Sequence, residues 1–220
     1  MVEDIKPRML TFKNTLKVIS DLKIEQDDNI IKNEPMLFSS DCEFAAHNGG
    51  PLTRRFLDGL KDVYGDENWI IDSRVHMLMK GWYPCIPGWH HDDVPRNTPN
   101  SQPNYKDPEY LSEHVMLLVG DASRTEYITD PEVTLPEVTD GITYGVWDLL
   151  INEEISMGNL HCNRVKPGQL VEFTWQDFHR GTMAVKPGWR FFIRASRKTN
   201  RKFVNEIRRQ VQVYVPGSGW

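Results

Sequence analysis

Metal-ligating residue types crowd together in one stretch of this chain, Gly81–Arg96, which reads GWYPCIPGWHHDDVPR. It contains two overlapping H-x-D pairs, His90/Asp92 and His91/Asp93. Residues two apart on a strand face the same side, so either pair can present an imidazole and a carboxylate to one ion. A third donor stands far along the chain: His179, in FTWQDFHRG, at the end of a strand signal that opens on the turn Lys166-Pro167-Gly168. Two imidazoles and one carboxylate leave three positions of an octahedral ion open, a facial arrangement suited to Fe(II) and oxygen chemistry. Beyond His179, the string AVKPGWRFFIRAS puts Arg190 and Arg194 on one strand face and Trp189, Phe191 and Ile193 on the other. Buried guanidinium groups need anions, and their planar fork matches a carboxylate. A small dicarboxylate held beside the metal would meet that need.

The elements that must position these groups are mostly short β-like runs. After Asn68 they fall at Trp69–Asp72, Arg74–Met79, Val115–Val119, Glu126–Thr129, Thr143–Leu149, Leu170–Trp175, Trp189–Ala195 and Val211–Val215, with Gly, Pro, Asn and Asp between them. Such spacing predicts a sandwich or barrel rather than alternating βαβ units. One helix is expected within Pro51–Gly65, where Phe56, Leu57, Leu60, Val63 and Tyr64 form an apolar face, Thr53 is a candidate N-cap and Gly65 a C-cap. Leu10–Leu22 reads as a strand followed by a short helix. Val94–Tyr110 carries four prolines and almost no aliphatic residues, the composition of a long loop that acts as a lid over a site. Met77 and Met79 read as core filler.

The set formed by His90-x-Asp92, the distal His179, and Arg190 eleven positions later resembles the signature of the Fe(II)/2-oxoglutarate-dependent dioxygenase superfamily. The string Trp89-His90-His91-Asp92-x-x-Pro95 is similar to the W-H-x-D surroundings of its phytanoyl-CoA-hydroxylase-like members, which favours His90/Asp92 over His91/Asp93. The resemblance spans about Arg74 to Ser196. It implies a mainly β fold with flanking helices, a double-stranded β-helix (jelly roll, cupin-like). It also implies Fe(II), 2-oxoglutarate and O2 as cofactor and cosubstrates, with His90, Asp92 and His179 as metal ligands and no further catalytic residue. Arg190 would hold the distal carboxylate of 2-oxoglutarate, with Arg194, Tyr83 and Thr182 as further cosubstrate contacts. His76, Arg74, Trp175 and Arg96 are candidate substrate contacts. The reaction implied is hydroxylation, desaturation or cyclisation of a small molecule, giving succinate and CO2. On this reading residues 1–220 form one domain: a mixed N-terminal cover over 1–68 with a helix at 53–64, a jelly-roll core over 69–196, and a basic extension over 197–220.

Composition narrows the alternatives. The chain has 220 residues, 39% hydrophobic and 26% charged, which suits a soluble domain. It has no apolar run near the ~18 residues that would span a bilayer, and MVEDIKPRML does not read as a secretory leader. Three scattered cysteines argue against a disulfide framework and a cysteine zinc site. A cytoplasmic setting follows as the expectation. H-E-x-x-H and G-x-S-x-G are absent, as is the H-x-H of cupins. The net charge of −5 hides an asymmetry: Arg190–Trp220 carries about +7 and the preceding chain about −12. A helix over Arg197–Gln210 would present that basic cluster as a solvated face, a dimer contact or a nucleic-acid-binding surface. Three readings therefore stand: an oxygenase of small molecules, a nucleic-acid base oxygenase using Arg201, Lys202, Arg208 and Arg209, and a non-catalytic jelly-roll binding module. Substrate identity and oligomeric state are left open.

Overall fold

A computed structural model describes residues 8–107, 111–139 and 141–216. The chain begins with β1 (Met9–Lys13) and β2 (Lys17–Asp21), then α1 (Asp28–Lys32), β3 (Leu37–Phe38), α2 (Cys42–Asn48) and α3 (Pro51–Tyr64). It continues through β4 (Ile70–Leu78), β5 (Glu113–Val119), β6 (Thr125–Ile128) and β7 (Glu132–Pro136) to α4 (Thr143–Met157). The last elements are β8 (Cys162–Arg164), β9 (Gln169–Thr174), β10 (His179–Gly181), β11 (Gly188–Arg197) and β12 (Glu206–Ile207). The fold is mainly β, built from antiparallel sheets.

Strand parity decides which side chains go where. A five-stranded sheet runs β2-β9-β5-β11-β4 and a three-stranded sheet runs β10-β6-β8. One face of the large sheet contributes Ile71, Val75, Val115, Leu117, Val119, Phe191 and Ile193 to a core that Ile31, Phe56 and Leu60 from α1 and α3 cover. The alternate residues point the other way. Met116, Leu118, Val171 and Phe173 pack with Tyr127 of the small sheet. On β4 and β11, that same inner face carries Asp72, Arg74, His76, Arg190, Phe192 and Arg194. One end of the space between the sheets is thus hydrocarbon and the other is charged.

The apolar spacing over Pro51–Gly65 folds as the expected helix, but its start is capped differently. Gly50 is the N-cap and Pro51 the first helical residue. Thr53 lies inside the first turn. The cap is supplied by the buried Glu34, whose Oε1 accepts from Gly50 N (2.9 Å), Thr53 N (2.8 Å) and Thr53 Oγ1 (2.6 Å), while Oε2 accepts from Leu52 N (3.1 Å). A carboxylate there satisfies the orphan donors and sits at the positive end of the helix dipole. Gly65, with φ at 72°, ends the helix in a conformation that favours glycine.

Five expectations are overturned. Thr143–Leu149 is the start of α4 rather than a strand. Thr143, Trp147 and Ile151, four apart, form its buried stripe, so tertiary burial at helical spacing outweighs the β propensity of its aromatic and branched residues. Leu10–Leu22 is two strands, because each finds a partner: β1 pairs with β7 and β2 with β9. Arg197–Gln210 is not a helix. It runs extended past β12, which pairs with β3, and Arg201 and Arg208 turn inward onto Asp72. Val211–Val215 makes one bridge, Tyr214 to Tyr83, instead of a strand. Met77 and Met79 are exposed, not core. Among the described residues no helix is long and apolar enough to cross a membrane.

Because Glu34 holds four donors of a buried helix start, Glu34→Ala is expected to destabilise the fold by about 2–4 kcal/mol. Thr53→Ala should cost less, about 1 kcal/mol. Urea unfolding of both variants checks the order, and a neutral Glu34→Ala would show that α3 is capped otherwise.

Candidate metal centre

The site begins as a backbone pairing. His90 N donates to His179 O (3.0 Å) and His179 N donates to His90 O (3.1 Å), so the H-x-D segment is stitched to β10 at the edge of the small sheet. The two rings stand side by side with centroids 4.7 Å apart. Each is then fixed by a carbonyl two residues before it: Nδ1 of His90 lies 2.9 Å from Gly88 O, and Nδ1 of His179 lies 3.0 Å from Asp177 O. A carbonyl only accepts, so both Nδ1 atoms carry the proton and both Nε2 atoms offer a lone pair. Asp92 Oδ2 is 3.2 Å from His179 Nε2. One ligand atom from each of His90, Asp92 and His179 lies within 4.8 Å of the others. The donor set and the tautomers fit a divalent ion such as Fe(II).

The other H-x-D pair is turned away. His91 packs on Phe178 (centroids 3.8 Å) and pairs Nδ1 with Tyr105 Oη (2.7 Å). Asp93 has φ at 52° and faces Arg194 and Arg201. Tyr105 sits among Phe12, His91 and Trp147, so the proline-rich segment expected to be a lid is anchored into the core at that point. Asn104 N bonding to Pro95 O closes it on itself. Residues 108–110 lie outside the described residues.

Burial pushes the His90 imidazole down to about 4, and neighbouring His179 adds to this against the pull of Asp92. Burial opposes the charge on Asp92, but Arg194 and His179 outweigh it and hold the carboxyl well below its ordinary range. Arg194 donates to Asp92 and to Asp93 (3.4 Å), and despite its burial these acids hold it above its ordinary value. Arg190 is different. It is buried, its guanidinium donates to Ser123 O and Thr125 Oγ1, both at 3.3 Å, and lies over the Phe192 ring, and among the described residues it pairs with no acid. Burial pushes it down to about 10.

Two cavities adjoin the triad and share Arg74, His90 and Asp92 in their linings. The smaller, about 110 Å³, lies between the sheets and is lined by His76, Thr125, Phe192, Arg190 and Arg194 beside His90, Asp92 and His179. The larger, about 1040 Å³, is also lined by Arg74, with Arg96, Tyr144, Arg208, Gln210, Val211, Gln212 and Tyr214 in its wall.

The structure gathers His90, Asp92, His179, Arg190, His76, Arg74 and Arg96 around this space. It does not bring Tyr83, Thr182 or Trp175 there. Arg194 lines the small cavity, but Asp92 and Asp93 take its charge. Tyr83 pairs through its backbone with Tyr214 and lines neither cavity. Thr182 faces the β6 side, its Oγ1 accepting from Arg124 N and its carbonyl from Ser123 Oγ. Trp175 packs near Tyr105 in an apolar cluster. Sequence reading missed Asp177. Its carboxylate accepts from Thr15 N (2.7 Å), Thr174 N (2.7 Å) and Leu16 N (3.1 Å), clamping the turn whose carbonyl orients His179. An Asp two residues before the distal His was the available signal. The tail's place in the cavity wall left no local signal at all.

No family model and no curated protein matches this chain. Among solved structures it is similar to the crystal structure of a novel N-substituted L-amino acid dioxygenase in complex with alpha-KG from Burkholderia ambifaria AMMD, at 17% identity and a TM-score of 0.35. The likeness covers 66% of this chain and 59% of that one, so it spans less than two thirds of the relative's length.

His76 is buried, and burial pushes it down to about 3; His114, buried against Ser196 Oγ, is held well below 6.5 by its burial. Below pH 6.5 the unfolded chain gains protons at these groups that the folded chain refuses. Stability is therefore present above that pH and falls as pH drops toward the folded values, by up to about 1.4 kcal/mol per pH unit for each histidine. Urea midpoints measured from about pH 7 to pH 5 should fall steadily, less so in His114→Gln; a flat profile would contradict the burial of neutral imidazoles.

Proposed function

We propose that this chain is a non-haem Fe(II)/2-oxoglutarate-dependent oxygenase of double-stranded β-helix fold, oxidising a C–H bond of a small molecule. The observation that carries the reading is one constellation. Two Nε2 lone pairs and a deprotonated carboxylate converge beside a cavity that holds an arginine with no acid partner. Strand alternation between the sheets supports the fold assignment: β4, β5, β9 and β11 lie in the large sheet, while His90, β6, β8 and β10 lie in the small one.

Bound at His90, Asp92 and His179, Fe(II) would supply O2 activation coupled to decarboxylation of 2-oxoglutarate to succinate and CO2. The residues do the positioning. Arg190, at the inner end of the small cavity, pairs with the distal carboxylate of 2-oxoglutarate and points its oxoacid end toward the triad. Thr125 and Ser123 hold that guanidinium in place. Phe192 and the buried sheet faces exclude water from the oxoacid. Arg194 keeps Asp92 ionised and oriented. The larger cavity receives the substrate.

The basic C-terminal segment does not favour a nucleic-acid substrate. Arg201 and Arg208 are engaged by Asp72, and Arg197 and Lys198 by Glu67 and Glu113. A small molecule inside the cavity is the reading we retain, in a soluble protein with no membrane partner.

Anaerobic addition of Fe(II) and 2-oxoglutarate should raise a metal-to-ligand charge-transfer absorption that His179→Ala abolishes. Arg190→Gln should keep the metal and weaken 2-oxoglutarate binding roughly 10- to 100-fold. If no absorption forms and His179→Ala behaves as the native protein does, the oxygenase reading fails.

A further inference from the structure

Two arginines in the wall of the large cavity have no acid paired with them among the described residues. Asp72, Asp92 and Asp93 are matched by Arg194, Arg201 and Arg208 in a continuous set of ion pairs. Outside that set stand Arg74 and Arg96. Arg74, on the edge strand β4, lines both cavities, and among the described residues its guanidinium makes no hydrogen bond or ion pair. Arg96 reaches only the carbonyl of Ser101 (3.4 Å) and the ring of Tyr144 (5.5 Å to its centroid). Arg208 has its Nε buried with no partner. Arg74 is near enough to Arg190 and to Arg208 for each to feel its charge. The remaining acid in the wall, Asp148, accepts from Trp89 N (2.8 Å).

Like charges gathered in a partly buried wall repel one another, and the arrangement calls for an anion. On the oxygenase reading, 2-oxoglutarate is already accounted for. One of its carboxylates goes to Arg190, and the other would lie at the triad. Arg74 and Arg96 are still unanswered.

We infer that the substrate carries an anionic group, a carboxylate or a phosphate, and that Arg74 receives it where the two cavities meet, with Arg96 and Arg208 completing the cradle. The inference rests on the oxygenase reading in taking the large cavity as the substrate's. The anion tethers one end of the substrate near the triad, so oxidation falls on a carbon at a fixed reach from it. The neutral lining of Ile86, Ile142, Tyr144 and Val211 accommodates the rest.

The test uses four probes that share one ring: benzoate, phenyl phosphate, benzyl alcohol and benzylammonium. Their binding is measured by ligand-observed NMR, with the protein alone and with saturating 2-oxoglutarate and Mn(II). The two anions should bind about tenfold tighter than benzyl alcohol, with benzylammonium weakest, and the order should survive saturation. Whichever anion binds tighter separates carboxylate from phosphate. Arg74→Gln should erase at least about fivefold of that preference and Arg74→Lys restore part of it, both leaving 2-oxoglutarate affinity within about twofold. Arg96→Gln, in a loop, gives a second reading if an edge-strand change disturbs folding. Equal binding of all four probes overturns the inference. So does an Arg74→Gln variant that loses 2-oxoglutarate as strongly as it loses the anions, since Arg74 would then serve the cosubstrate. Anion preference without a charge-transfer absorption would sink the oxygenase reading alone, and an absorption without anion preference would sink this inference alone.

Discussion

Everything around the triad depends on two reciprocal backbone hydrogen bonds between His90 and His179, residues almost ninety positions apart. They fix the spacing of the imidazoles before any ion is present. The carbonyls of Gly88 and Asp177 then fix the tautomers. Those carbonyls are held in turn, Gly88 by the Trp89 N to Asp148 contact beside it and Asp177 by its clamp on Thr15, Leu16 and Thr174. The geometry of the two imidazoles is thus supported by the approach to β2, by β9 and by α4, none of which carries a residue of the triad.

The second constraint is charge in a buried space. Asp92, Arg194, Asp93, Arg201, Asp72 and Arg208 alternate in sign from the triad to the C-terminal segment. Each acid there would be costly alone, and each arginine would be as well. Linking them lets the inner face of β4 and β11 stay polar within a sheet whose outer face is hydrocarbon. It also holds Arg208 inward, and with Gln210, Val211, Gln212 and Tyr214 that residue forms part of the cavity wall. What looks in composition like a solvated basic tail is mostly neutralised structure.

The outer face does the work of stability. Alternate residues of β4, β5 and β11 are buried under α1 and α3, and α3 is tied down through the Glu34 carboxylate at its start. This division lets the inner face of β4 and β11 concentrate polar groups, while β5 and β9 supply the apolar contacts of that face.

How much of this the sequence determined follows from the range of each interaction. The parity of Arg190 and Arg194 against Phe191 and Ile193 was legible because alternation is a property of one strand. The first H-x-D pair and the distal His were legible as residue types at spacings that one ion can gather. The helix at Pro51–Tyr64 was legible from its apolar period. Local pattern misled at Thr143–Leu149, where β-prone residues were set on a helix by burial of Trp147 and Ile151. It misled again at Arg197–Gln210, where acids on β4 and after the H-x-D pull the arginines inward. Which His pairs with which carbonyl, that Asp177 clamps the turn, that Arg194 is spent while Arg74 is not, and that Glu34 caps a helix sixteen residues away were decided only by the tertiary structure. Each depends on partners that meet when distant strands pair, and no local periodicity records such a meeting.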